Sequence, residues 1–108
     1  MTITNPHTSF TVTSVVFKWD VGNGANKKSL TGAQLGVPFW PSVAGTTDSS
    51  GNITITPSST LTLQGNNTQS TIQFTLDKNY GNAGSGLTTI TLNLTSATCG
   101  NIIVTKTK

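Results

Sequence analysis

The chain has 108 residues, of which 33% are apolar and only 8% charged, and its formal net charge is +3. That length holds one domain and excludes a multidomain machine. Six Lys and no Arg leave no bidentate fork for phosphates or base edges, so nucleic acid is not an expected partner. Glu is absent too, and the surface is wetted by 22 Thr, 11 Ser and 10 Asn, which disfavours long solvated helices and favours strands.

In chain order, Met1 to Thr8 reads as a candidate extended arm or frayed end. It has neither a basic n-region nor an apolar h-region, so no export signal is expected, and no apolar run in the chain is long enough to span a membrane. Phe10 and Val12 share one alternating phase, and Val15, Phe17 and Trp19 share the opposite one. The slip near Ser14 predicts a bulge or a strand that crosses between sheets, with Trp19 in the core. Gly22 to Gly36 reads as a long loop, with a short strand inside it as the alternative.

Pro38-Phe39-Trp40-Pro41 sets two large aromatics between prolines. Adjacent residues of an extended segment point to opposite faces, so one of the two rings is expected to face outward. Exposed aromatics mark interfaces or, flanked by amides and hydroxyls, sugar platforms. Phe39 and Trp40 are therefore the candidate interface or glycan-contact residues, with loop-to-core packing as the competing reading.

Period-two alternation dominates the second half. Ile53 and Ile55, then Leu61 and Leu63, then Ile72, Phe74 and Leu76, then Ile90, Leu92 and Leu94 each alternate with Thr, Gln or Asn, the pattern of half-buried antiparallel strands. Ser49-Ser50-Gly51, Gly65-Asn66-Asn67 and Cys99-Gly100-Asn101 supply turn chemistry, and Asn79 to Gly86 reads as a loop tip. Ile102 to Thr105 is more continuously apolar, which suits a strand buried on both faces or an edge that pairs with another chain. About seven to eight strands without a helix predict a single all-β domain over residues 1–108, an antiparallel β-sandwich of immunoglobulin-like or jelly-roll type.

Chemistry is sparsely provided for. His7 stands beside Pro6 in the terminal segment, and Asp20, Asp48 and Asp77 form no local triad or carboxylate pair, so an enzyme is not expected and no cofactor is implied. Asp20 with Asn23 and Asn26, or Asp77 with Asn79 and Asn82, match no calcium-loop spacing; Asx turns account for them, and no metal is expected. The lone Cys99 excludes an intramolecular disulfide and is expected as a buried or half-buried thiol near a turn. Glycosylation triplets begin at Asn52, Asn66 and Asn93, two of them inside predicted strands, where chance matches in an Asn- and Thr-rich chain account for them.

Neutral composition and the missing export signal together fit a protein made in a cytosol and exposed on a particle. The expectation is a non-enzymatic structural protein of a bacteriophage virion, such as a capsid decoration, head-fibre or tail component. It would act through contacts with its own copies or with other virion proteins. The alternatives are a secreted carbohydrate-binding or adhesive module and a subunit of a cell-surface filament, both extracellular or cell-surface proteins with a glycan or a second copy as partner.

Overall fold

The alternating runs form strands and pair as two antiparallel sheets packed face to face, so the predicted β-sandwich is the observed architecture. The computed structural model describes residues 2–6, 8–22, 24, 27–78 and 88–107. Nine strands lie among them: β1 (Thr2–Asn5), β2 (Phe10–Lys18), β3 (Leu30–Leu35), β4 (Val37–Trp40), β5 (Asn52–Ile55), β6 (Thr62–Leu63), β7 (Thr68–Leu76), β8 (Thr89–Ser96) and β9 (Gly100–Thr107). One sheet has the order β1-β7-β3-β4 and the other β5-β2-β8-β9, with β6 also paired to β2.

The phase slip in β2 is a bulge. Its register against β8 shifts between Val12 and Ser14, and the displaced residues are tied down by side chains. The Thr13 hydroxyl donates to the Asn93 carbonyl at 2.9 Å, and the Asn93 amide donates to Ser14 Oγ at 2.8 Å. Both apolar phases of β2 thereby face the same interior, with Phe10, Val12, Val15, Phe17 and Trp19 all buried.

Two stretches differ from the sequence reading. The expected loop from Gly22 to Gly36 ends in a full strand, β3, whose register against β7 shifts between Leu30 and Gly32. That shift breaks the alternation of Leu30, Ala33 and Leu35, which are nevertheless all buried. The candidate arm at the N-terminus contains β1, which pairs with β7 from Thr2↔Thr71 to Asn5↔Thr68. Ile3 packs against the core from this strand, and that burial holds the segment to the sheet.

The interior has two apolar clusters. One gathers Val15, Leu35, Leu63, Ile72, Leu92 and their neighbours; the other gathers Phe17, Trp19, Leu30, Ala33 and Ile55. Phe39, Phe74 and Ile90 touch both. A run of aromatic contacts crosses from sheet to sheet: Trp19 stacks on Phe17 at 5.1 Å, Phe17 on Phe74 at 3.9 Å, and Phe39 meets Phe74 edge-on at 6.4 Å. The Trp19 indole N–H, which burial would otherwise leave without water, donates to the Lys28 carbonyl at 3.2 Å.

Gly51 closes this core at the turn before β5. Its φ is +79°, and a Cβ there would lie 2.7 Å from Val21 Cγ2 and 3.2 Å from the Trp19 carbonyl oxygen. Gly36 has a similar φ of +72° but open space around it. Gly36→Ala is expected to cost only the left-handed backbone term of about 1–2 kcal/mol, and Gly51→Ala clearly more, read as the drop in urea midpoint. Equal losses at the two sites would contradict the close approach at Gly51.

Among the described residues, Lys and Asp side chains gather toward one pole. Lys18 pairs with Asn52 and Thr89, Thr89 pairs with Thr107, and Leu30 pairs with Asp48. Asp77 lies against Ser29. These contacts put Asp20, Asp48, Asp77, Lys18, Lys27, Lys28, Lys78 and Lys106 at or near the same ends of their strands. The opposite pole, where β2, β7 and β9 begin and β3 ends, has no Lys or Asp among the described residues.

Candidate functional site

The structure does not set either candidate aromatic out as a flat exposed ring. Phe39 and Trp40 are both half-buried, Phe39 against both clusters and Trp40 against the one around Phe17 and Trp19. The expected opposition of the two rings fails because β4 carries an irregularity. Gln34 pairs with Pro38 and Ala33 with Trp40, so Phe39 is the extra residue of a bulge and the two-residue period is interrupted there. Both rings thus lean on the core from a strand rather than a loop, each keeping part of its surface exposed.

The carboxylates tie down backbone, two of them within turns. Asp20 accepts from the Gly22 N–H at 3.1 Å, Asp48 from the Ser50 N–H at 2.9 Å, and Asp77 from the Ser29 N–H at 2.8 Å. Asp20 takes the Asx-turn role read from the sequence and Asp48 takes the same role, whereas Asp77 reaches across to a residue 48 positions away in the chain. Asp48 and Asp77 are brought to neighbouring positions, Asp77 on the Ser29 N–H and Asp48 bridged to Leu30 through the backbone. Among the described residues no three His, Cys, Asp or Glu side chains gather as a metal site. His7, Asn23, Asn26, Asn79 and Asn82 and the predicted loop tip up to Gly86 lie outside the described residues.

Cys99 is exposed rather than buried. It sits in the tip between β8 and β9, where the chain turns from Ser96 to Gly100, and its N–H donates to Ser96 Oγ at 2.9 Å. Iodoacetamide is therefore expected to label the native protein as fast as the urea-unfolded one. A native rate slower by about tenfold would contradict this exposure.

The feature that sequence reasoning left open is β9. It is an edge strand, not one buried on both faces: β8 covers one side through an uninterrupted register from Thr89↔Thr107 to Ser96↔Gly100, and no described strand covers the other. The outer face of this pair carries a ladder of hydroxyls, with Thr89 against Thr107 at 3.4 Å and Thr91 against Thr105 at 3.2 Å. Ile103, opposite Asn93, interrupts the ladder with an apolar side chain that is 69% exposed.

Edge strands in monomers are commonly blunted by Pro, bulges, several charges or shortness. The other edges here fit that rule, since β1 and β5 each have four residues and β4 contains Pro38. β9 has eight residues, no Pro, no bulge and one charged residue, Lys106, near its end. An antiparallel partner strand could pair along its full length. A comparison with known protein families, curated proteins and solved structures finds no match to this chain, so its contacts have to be argued from its own residues.

Proposed function

We propose that the chain is a non-enzymatic structural subunit that works by contact with copies of itself or with neighbouring proteins, and that its setting is a bacteriophage particle. The observation that carries this reading is the open eight-residue edge of β9 with Ile103 exposed beside it. Such an edge offers main-chain hydrogen bonds and an apolar contact to a partner strand. The backbone-tying roles of the three Asp side chains, Asp20 and Asp48 within turns and Asp77 on Ser29, support the non-enzymatic part. The neutral Thr-rich faces, wetted by hydroxyl pairs in place of ions, suit a surface exposed to changing salt outside a cell.

A single β9 contact buries little area, so it is weak in dilute solution and gains strength when many copies sit in one lattice. Quantitative mass spectrometry of phage particles purified from a lysate of the strain carrying the gene tests the setting. The chain is expected at many copies per particle. Recovery only in the particle-free fraction would overturn the virion assignment while leaving self-association to be judged separately.

A further inference from the structure

A second opening lies at the pole that has no Lys or Asp among the described residues. β7 is nine residues long, but its neighbours do not cover it evenly. β1 pairs with Thr68 to Thr71 on one edge, and β3 pairs with Ile72 to Leu76 on the other. β3 ends at Leu35, and the chain reverses at Gly36 into β4. The edge of Thr68 to Thr71 on the β3 side is thus covered by no described strand.

This bare edge opens into a cavity of about 510 Å³, bounded by the β3–β4 turn and by Thr62 and Gln64 from the other sheet. Thr68, Gln69, Ser70 and Thr71 all line it. Side chains alternate between the faces of a strand, so four successive residues line one cavity only if the strand turns its edge, with its backbone groups, toward it. In an antiparallel pair every second residue directs its N–H and C=O away from the partner, here away from β1 and into the slot.

We propose that this slot receives an extended, uncharged stretch of another polypeptide, which joins the sheet as an added strand between β7 and the β3–β4 turn. Size supports it. At the spacings of packed sheets one strand residue fills about 160 Å³, so the cavity holds roughly three residues, close to the four-residue edge it flanks. The lining contains no ionisable and no aromatic side chain. A charged ligand would find no counter-charge, and a sugar ring no stacking platform, whereas main-chain pairing needs neither. This inference is independent of the β9 contact, because the two edges belong to different sheets.

The test is a titration of the ¹⁵N-labelled full chain with the blocked pentapeptide acetyl-Thr-Val-Thr-Val-Thr-amide, with maltoheptaose in parallel. Saturable amide shifts and slowed hydrogen exchange are expected at Gln69 to Thr71 and at Thr62 to Gln64 by about 10 mM peptide. Gln64→Trp and Val37→Trp, two substitutions on opposite walls of the slot, should each weaken binding at least tenfold. Thr105→Trp, on the outer face of β9, should leave it unchanged. No saturable shift with the peptide, binding indifferent to both slot variants, or shifts with maltoheptaose alone would each overturn the proposal.

Discussion

Replacing Phe17 by Ala is expected to remove most of the stability of this protein. The ring is buried and lies between Trp19 at 5.1 Å and Phe74 at 3.9 Å, so its loss opens a cavity where the two sheets meet. Phe→Ala in a core costs about 3–5 kcal/mol, and aromatic pairing adds about 0.5–1.5 kcal/mol. Against a typical total of about 5–15 kcal/mol, the variant is left near the folding threshold. Urea unfolding followed by Trp fluorescence checks this, with Lys18→Ala, exposed on the same strand, as a comparison expected within about 0.5 kcal/mol of the parent. A Phe17→Ala loss below about 1 kcal/mol would contradict the central place given to the aromatic contacts.

The second large effect is on assembly. If two copies pair their β9 edges about a two-fold axis, the centre of the strand falls at Ile103 and Val104, and the two Ile103 side chains come to lie opposite or one step apart. Ile103→Lys places like charges there, and like charges directly opposite each other on a sheet are destabilising. The variant is expected to raise the self-dissociation constant at least tenfold, about 1.4 kcal/mol, while its urea midpoint stays within error of the parent because the side chain is 69% exposed. Sedimentation equilibrium of both proteins measures the first quantity. An unchanged association constant would remove β9 from the interface.

Much of the fold was legible because alternation and burial coincide. Ile72, Phe74 and Leu76 in β7, and Leu92 and Leu94 in β8, face inward as their period requires. The slip near Ser14 could be read as a bulge because it reverses a strong pattern. β3 was hidden for the converse reason: Gly32 sits at a register shift, so Leu30, Ala33 and Leu35 show neither clean period. Phe39 and Trp40 failed the same rule at the β4 bulge, where a two-residue argument has no purchase.

The open strand edges were less legible, and for a different reason. Ile102 to Thr105 left two readings open because a buried strand and an apolar edge share one composition; only the pairing order distinguishes them. The slot beside Thr68 to Thr71 arises from a length mismatch between β7 and β3, a property of two distant segments that no local pattern encodes. Cys99 was misplaced because a small thiol at a hairpin tip looks in sequence like one tucked beneath it.

Self-association through β9 is tested most directly by the mass of the chain in solution, measured by light scattering from dilute to about millimolar protein. The mass is predicted to rise with concentration from monomer to dimer or larger species, and Ile103→Lys is predicted to flatten the rise. A monomer at every concentration, identical for parent and variant, would contradict an assembly role for the β9 edge.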